Sequence, residues 1–298
     1  MDEKITLVIP IYNEIAGIEK SIEIIKNFSN NRLNWKIIIV DDGSNDGTEI
    51  ILSQFLSDKI KVIVHDKNQG YGAALKTGIK NSDSEYIAII DADGTYPFDS
   101  FDEFEKFIDQ NAMVVAHRQN VDGSIPLIKR IPKYFIRKFA SYLTGIKIHD
   151  FNSGMRIFRR NYAMKLMNYF PNGFSFTTTI TVAFASNNLS VKYLPINYMK
   201  RDGASKIKPI RDTINFFILI FRLGIYFNPF KIYGPFIIFF LLLGIALMIS
   251  RIFYGEGFLV SIIICFLVSL VLLCFSMLAH SISLIFETLL SINLKNIK

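Results

Sequence analysis

The stretch YIAIIDADGTYP, residues 86–97, passes from an apolar run directly into two aspartates, a glycine and a proline. Asp91 and Asp93 are separated by one residue, and residues i and i+2 of an extended chain point to the same side. The two carboxylates can therefore meet at one point, as a Mg²⁺ ion shared with phosphate oxygens requires. Taken alone, the pattern also fits two aspartates that cap the next helix. The position of the pair in the fold decides between cation binding and helix capping.

Apolar runs alternate with helix-like stretches over the first 120 residues. Such an alternation of near-continuous apolar strands and helices is typical of an α/β fold with a mostly parallel sheet covered on both faces. The predicted strands are 5–12, 35–41, 59–65, 86–91 and 112–117, and the predicted helices are about 14–28, 46–57, 71–81 and 98–110.

Polar side chains follow the end of each predicted strand. They are Tyr12, Asn13 and Glu14, then Asp41, Asp42 and Ser44, then Asp66 and Asn68, then Asp91 and Asp93, and finally His117 and Arg118. In open parallel sheets, ligands bind beyond the carboxyl ends of the strands. The sequence therefore predicts a ligand site at this edge, which favours cation binding over helix capping for Asp91 and Asp93.

Two long uncharged runs, residues 232–250 and 257–279, lie near the end of the chain. Each has about the ~20 residues that a membrane-crossing helix needs, so we expect a transmembrane hairpin. A buried helical hairpin of a soluble protein is the alternative. Lys and Arg flank the outer ends of the hairpin, which predicts a membrane protein whose two termini, and with them the α/β domain, are cytoplasmic. The charged, strand-like start of the chain predicts no signal peptide.

Charge is divided unevenly along the chain. Residues 1–105 contain 10 Lys and Arg against 19 Asp and Glu, whereas residues 106–298 contain 23 against 7. A basic half that includes the hairpin predicts contact with anionic headgroups or a phosphorylated substrate. Beside a membrane hairpin, we expect no nucleic acid partner. Cys265 and Cys274 both lie in the second apolar run, so no disulfide framework is expected.

Six segments in order give the chain a family resemblance: VIPIYNE (8–14), VDDGSNDGT (40–48), NQGYGAAL (68–75), DADGTYP (91–97), DFNSGMRIF (150–158) and KRDGASKIKP (200–209). Over about residues 4–209 the chain resembles family 2 glycosyltransferases, specifically the dolichyl- or polyprenyl-phosphate sugar synthase branch. The resemblance implies a GT-A fold, a nucleotide-sugar donor, Mg²⁺ or Mn²⁺, inversion at the anomeric carbon, and a polyprenyl phosphate acceptor. Thr95 stands where the mannose enzymes of this branch often have Gln, which leaves the sugar and the choice of UDP or GDP open.

The resemblance also assigns roles by position. Pro10, Tyr12, Glu14, Asp41 and Asp42 match the nucleoside pocket, and Asp91, Ala92 and Asp93 match the metal and diphosphate site. Asp93, Arg118, Arg201 and Lys206 are the expected catalytic residues, the last two closing over the diphosphate. Ser205 lies in the same basic segment and is assigned to the acceptor phosphate.

A general base distinguishes the two kinds of acceptor, because attack by a sugar hydroxyl needs one and attack by an ionised phosphate does not. No Asp or Glu occurs in residues 151–201, which favours a phosphate acceptor. Asp150 is the one nearby candidate base, and a turn carboxylate is its second interpretation. Trp35 is the only tryptophan, so the Q-x-x-R-W motif of processive synthases is absent and transfer of a single hexose is favoured. Two classes without transferase activity also stay open: a nucleotide-binding module and a purely structural membrane protein.

A basic amphipathic segment, residues 127–143, predicts a helix in the headgroup plane, broken or kinked at Pro132. Arg130 and Lys133 are the expected ligands of the acceptor phosphate, and a generic surface anchor is the alternative. The hairpin is too small to enclose a lipid path alone, which keeps a homo-oligomer open. The expected domains are a GT-A domain at 1–208, an interfacial helix at 209–230, the hairpin at 231–279 and a cytoplasmic tail, a surface helix, at 280–298.

Overall fold

A seven-stranded sheet in the order β3-β2-β1-β4-β6-β5-β7 forms the centre of the molecule. The computed structural model describes residues 4–119, 127–199, 209–255 and 259–295. Every strand except β6 runs in the same direction, so the predicted α/β fold with a mostly parallel sheet is confirmed. The strands are β1 (Ile5–Ile11), β2 (Trp35–Asp41), β3 (Ile60–Val64), β4 (Tyr86–Ile89), β5 (Met113–Gln119), β6 (Arg156–Arg159) and β7 (Val191–Asn197).

The reversed strand β6 lies between β4 and β5, with Arg156 level with Ile89 on one side and Val115 on the other. Because β6 is antiparallel to both neighbours, its first residue lies at the edge where β4 and β5 end. The preceding segment, residues 150–155, therefore enters the edge at which the predicted ligand groups lie. Sequence analysis missed both β6, which is only four residues long, and β7, an edge strand that accommodates Pro195.

Helices cover both faces of the sheet and continue beyond it. They are α1 (Ile18–Asn30), α2 (Thr48–Ser53), α3 (Tyr71–Lys80), α4 (Phe101–Ile108), α5 (Leu127–Thr144), α6 (Arg160–Lys165), α7 (Phe176–Ser186), α8 (Pro209–Phe227), α9 (Pro229–Tyr254) and α10 (Leu259–Lys295).

Each face of the sheet has its own apolar core. On one face, Trp35 packs with Phe28 and Phe101 beneath α1 and α4. On the other face, α3 and α7 pack on the sheet, and Phe184 of α7 meets Phe158 of β6 edge to face at 6.1 Å. These buried side chains fix the sheet and hence the strand ends.

A third, smaller core joins α5, α8 and α9 to the sheet domain. Ile136, Leu143, Ile220 and Ile232 are buried in it together with Ile148, which precedes the segment at the sheet edge. Lys231 at the start of α9 donates from Nζ to the Leu143 carbonyl at 2.8 Å, and Tyr142 donates to the Lys231 carbonyl at 3.1 Å. The sheet domain and α9 are thus held together by direct packing.

One helix runs through Pro132 from Leu127 to Thr144, so the break expected there is wrong. Pro132 lies near the start of α5, where its missing N–H removes only the bond to the carbonyl of residue 128. A kink at Pro132, the other half of the expectation, stays a prediction.

Helices α9 and α10 are both long and apolar enough to cross a membrane. They pack against each other through small side chains, since Gly244 lies against Cys265 and the buried Ser269 donates to the Ile237 carbonyl at 3.3 Å. Most of their large apolar side chains point outward and are exposed. Residues 280–295 continue α10 without a break, whereas a separate surface helix was expected there.

Replacing Phe184 with Ala should lower the stability of the sheet domain strongly, because the ring is fully buried against Phe158. Loss of a buried Phe typically costs about 3–5 kcal/mol, which corresponds to roughly 10 °C for a domain of this size. Trp35, on the opposite face of the sheet and 2% exposed, reports unfolding by its fluorescence in the full chain in detergent. The matched control is Leu56→Ala, at a side chain 63% exposed, which should leave the midpoint nearly unchanged. An equal midpoint for both variants would contradict this packing.

Candidate active site

Asp91 and Asp93 lie just beyond β4, at the carboxyl edge of the sheet, and both are half-buried. Tyr71 donates its hydroxyl to Asp91 Oδ1 at 2.8 Å. Burial, and after it the negative charge of Asp93, raise the pKa of Asp91 to about 6. The two carboxylates therefore interact electrostatically, as expected from their i and i+2 spacing.

Helix capping does not account for this pair. The Thr95 N–H and hydroxyl both donate to Asp93 Oδ1, at 3.2 and 2.6 Å, so Asp93 does stabilise a local turn. Helix α4, however, begins only at Phe101, with Ser100 at its N-cap position. The capping alternative is wrong for α4.

The segment before β6 forms one wall of the site. A Cβ atom at Gly154 would overlap the Asp91 carboxylate, so only glycine allows this approach. The Gly154 N–H donates to the Tyr96 hydroxyl at 2.8 Å, which fixes the backbone at that point. Neither Gly154 nor Tyr96 could be predicted as a site residue from the sequence, because the contact depends on the reversed strand.

Arg156 is a fully buried cation beneath this wall. It donates from one terminal nitrogen to the Thr177 carbonyl and the Thr181 hydroxyl, both at 2.9 Å, and from the other to the Ser153 carbonyl at 2.5 Å. Among the described residues, no carboxylate forms an ion pair with it. Burial lowers the pKa of Arg156, and its charge opposes the rise in the pKa of Asp91. Sequence analysis missed it, although an arginine between Met155 and Ile157 is an unusual strand interior.

Arg118, at the end of β5, forms a two-point ion pair with Asp150. Its Nε donates to Oδ2 at 2.7 Å and a terminal nitrogen donates to Oδ1 at 2.9 Å. Burial would raise the pKa of Asp150, but the pair with Arg118 holds that pKa below its ordinary value. The Asn152 N–H donates to Oδ1 as well, at 3.1 Å. Both oxygens of Asp150 are thus engaged, and its turn interpretation is supported over that of a base.

Asp41 ends β2 with a fully buried carboxylate. Its Oδ1 accepts from the Ser44 N–H at 3.1 Å and from the Ser44 hydroxyl at 2.5 Å. Its Oδ2 is buried and has no hydrogen-bond partner among the described residues. A buried anionic oxygen without a donor is unfavourable, so this atom is suited to accept from a ligand.

Asp42 is engaged within the protein. Its carboxylate accepts from the Gln69 N–H at 3.0 Å and from the Gly70 N–H at 2.7 Å, and it lies 2.8 Å from His65 Nδ1. It therefore holds the turn that leads into α3. A direct nucleoside contact through Asp42 stays a prediction.

The segment after β1 is pinned to the segment after β2. Asn13 donates its N–H to the Ser44 hydroxyl at 2.9 Å and accepts from the Asn45 N–H at 2.9 Å, and Glu14 donates its N–H to the Thr48 hydroxyl at 3.1 Å. Tyr12 is left 42% exposed at this edge. Pro10 lies one residue before the end of β1, opposite Val40.

Several predicted residues lie beyond what the structure describes. Arg201, Ser205 and Lys206 fall outside the described residues. Arg130 and Lys133 lie on helix α5, and their roles stay predictions.

The donor set at Asp91 and Asp93 fits a divalent ion that is shared with a ligand. Among the described residues, no group of three or more His, Cys, Asp or Glu forms a cage for a metal. Mg²⁺ at phosphate sites typically takes one or two carboxylates and completes its shell with phosphate oxygens and water. Two half-buried, mutually repelling carboxylates meet that description.

A profile described as Glycosyl transferase family 2 matches residues 6–167, more than half of the chain. The chain belongs to glycosyl transferase family 2. The curated relatives include dolichyl-phosphate beta-glucosyltransferase ALG5C of Trichomonas vaginalis, 31% identical over 75% of this chain and 71% of the relative. Dolichyl-phosphate hexose transferase of Haloferax volcanii is 26% identical over 70% of this chain and 88% of the relative.

Solved structures show the same fold. Glucosyl-3-phosphoglycerate synthase from Mycobacterium tuberculosis, in complex with Mn²⁺, UDP-glucose and phosphoglyceric acid, superimposes with a TM-score of 0.56. It is 18% identical, and the match covers 74% of this chain and 80% of that chain. The GT-A fold expected for this family 2 transferase is thereby confirmed.

Asp91→Asn should stabilise the metal-free family 2 transferase at pH 7.5. The folded chain binds a proton at Asp91 up to about pH 6 instead of the ordinary 3.8, so stability falls as pH rises through this window. Removing the charge should add about 1–3 kcal/mol above pH 6, and the gain should disappear below about pH 4. The measurement is the Trp35 melting midpoint against pH in EDTA. Asp99→Asn, at an exposed carboxylate, is the control. If Asp91→Asn were less stable at pH 7.5, the ionised carboxylate of Asp91 would not be destabilising the fold.

Proposed function

We propose that this protein is a metal-dependent, inverting hexosyltransferase that moves one hexose from a UDP- or GDP-linked donor to a polyprenyl phosphate. The observation that carries the proposal is the interacting Asp91 and Asp93 pair beside Arg118, at the carboxyl edge of the sheet. The names of the dolichyl-phosphate relatives support the acceptor class. The proposed location is the cytoplasmic face of a membrane, with α9 and α10 as its two spans.

The donor is proposed to lie along the carboxyl edge of the sheet. Asp41 Oδ2, buried without a partner among the described residues, would accept from the nucleobase, and Tyr12 would flank the nucleoside. Asp91 and Asp93 would hold Mg²⁺ or Mn²⁺ on the diphosphate, where the ion would supply positive charge against the charge that grows on the leaving group. Arg201 and Lys206 would close over the same diphosphate.

The acceptor phosphate needs no general base because it is already ionised. One of its oxygens would attack the anomeric carbon as the bond to the nucleoside diphosphate breaks on the opposite side, which inverts the configuration. Arg118 would present cationic charge to the incoming phosphate while Asp150 fixes its orientation. Arg130, Lys133 and Ser205 are the further residues proposed to hold the acceptor.

Packing against α9 supports the membrane location. The sheet domain is joined to the first candidate span by the core of α5, α8 and α9 and by Lys231, whose ammonium caps α5. An active site fixed relative to the span would stay at one height above the bilayer, where the phosphate of a polyprenyl lipid lies.

The proposed transfer is tested by incubating the full chain in detergent with radiolabelled UDP- and GDP-hexoses and polyprenyl phosphate, with and without Mn²⁺. The expected product is a single labelled glycosyl phosphate lipid that forms only with the ion. Unchanged donor throughout would favour a binding module instead, and a lipid product that forms equally well in EDTA would contradict the metal requirement.

Asp93→Asn should weaken Mn²⁺-dependent binding of the nucleoside diphosphate at least about tenfold, because one of two carboxylates at a shared cation is lost. Isothermal titration of the full chain in detergent with UDP and with GDP measures this effect. The matched control, Asp99→Asn, removes an exposed carboxylate nearby in sequence and should bind as the unaltered chain does. Undiminished binding to Asp93→Asn would remove this residue from the metal site.

Transfer to a hydroxyl of a lipid-linked saccharide is the second candidate, and Asp150 decides between the two. Asp150→Asn should lower turnover only modestly, by about tenfold or less, because Asn still accepts a hydrogen bond from Arg118. Loss of a general base costs about 10²–10⁴-fold. Turnover is compared with Asp83→Asn, at an exposed carboxylate. Near-complete loss, together with disappearance of the acidic limb of the pH profile, would favour the hydroxyl acceptor.

A further inference from the structure

Phe174 is the most exposed aromatic side chain in the described residues 4–119 and 127–199, with 82% of its surface accessible. It lies in the segment between the 3₁₀ turn Met167–Tyr169 and helix α7. Its ring stacks on that of Tyr71, with the centroids 5.5 Å apart and the planes inclined by 19°. One face of Phe174 is therefore supported by Tyr71, and its large exposed area leaves the other face open.

Tyr71 connects this ring to the candidate active site. Its hydroxyl donates to Asp91 Oδ1 at 2.8 Å, while its ring carries Phe174. Only the side chain of Tyr71 thus stands between the ring of Phe174 and the carboxylate of Asp91, which is proposed to hold the metal on the diphosphate. In a nucleotide sugar, the hexose is bonded directly to that diphosphate.

The backbone that carries Phe174 is fixed against the start of α3. The Ala73 N–H donates to the Asn172 carbonyl at 3.0 Å, and a Cβ atom at Gly70 or Gly72 would overlap the backbone of residues 171 and 172. Lys76 donates from Nζ to the Phe170 carbonyl at 3.0 Å. Phe174 is therefore held at this edge by a closely packed segment. The packing requires glycine at two positions, Gly70 at the N-cap of α3 and Gly72 within α3.

Exposure of most of a phenyl ring forgoes much of the ~1.5–3 kcal/mol that full burial of such a side chain provides. A ligand that covers the ring would recover this energy. The C–H groups on one face of a hexose are flat and apolar, whereas a diphosphate is charged and has no such face. Ligand sites commonly combine an apolar or aromatic surface with a few polar groups that fix orientation.

We propose that Phe174 is a stacking platform for the hexose ring of the donor, supported by Tyr71 and set beside the diphosphate site at Asp91. The platform rests on the proposed function and adds a sugar-binding subsite to it. It makes the affinity for the donor depend on the sugar as well as on the nucleotide.

The test compares each nucleotide sugar with its own diphosphate. Titrations of the full chain in detergent with Mn²⁺ measure dissociation constants for UDP-glucose and UDP, and for GDP-mannose and GDP. One sugar nucleotide is bound best by the unaltered chain, and Phe174→Ala should weaken its binding by about tenfold, a typical loss for one aromatic contact. The dissociation constant of the corresponding diphosphate should change less than about twofold. Phe174→Tyr and Phe174→Trp should retain the unaltered affinity for the sugar nucleotide. Phe135→Ala, a control at a Phe 65% exposed on α5, should change neither.

Each remaining outcome points to a different conclusion. Equal weakening of diphosphate and sugar nucleotide would overturn the platform, because Phe174 would then act only by shaping the site through Tyr71. No weakening of either would overturn it as well. An unaltered chain that binds neither nucleotide contradicts the proposed function itself, and the platform fails with it.

Discussion

The repulsion between the carboxylates of Asp91 and Asp93 is the constraint on which the site depends. The fold places both at the end of β4, half-buried, and offsets their charge with two arginines that do not bond to them in the described structure. Arg118 is engaged by Asp150, and Arg156 is engaged by carbonyl and hydroxyl oxygens. Both lower the pKa of Asp91 through space, yet that pKa stays near 6. The remaining negative charge is what a cation shared with a diphosphate would neutralise, and a pKa perturbed in this way is typical of functional sites.

The antiparallel strand β6 explains how these groups come together. A sheet of parallel strands alone would bring only strand ends to this edge, whereas β6 also brings a strand beginning there. That beginning supplies the Asp150 that orients Arg118, the Gly154 that lies against Asp91, and the Arg156 beneath them. The reversed strand thus adds the carboxylate that orients Arg118 and a second, buried cation to the groups at the strand ends.

The sequence alone was sufficient to predict those parts of the fold that depend on local pattern. The five strands before residue 120 and the convergence of Asp91, Asp93 and Arg118 follow from periodicity and from the rule that parallel strands end at one edge. It was insufficient where long-range packing decides. Four residues, Arg156–Arg159, carry too little pattern to predict a strand or its direction, and without β6 the Gly154 contact and the buried Arg156 have no basis. The exposure of Phe174 likewise depends on tertiary packing that periodicity does not encode.

The connection between α9 and the site is continuous in packed side chains. Ile232 of α9 packs with Leu143 of α5 and with Ile148 in the third core. Ile148 lies two residues before Asp150, which holds the guanidinium of Arg118 at two points. A shift of α9 relative to the sheet would therefore have to move this core or break a partly buried, charge-assisted pair, and both are unfavourable. The proposed span and the proposed acceptor-binding arginine are thus linked through one packed core, so a lipid phosphate arriving in the plane set by α9 would be expected to meet Arg118 at a constant height.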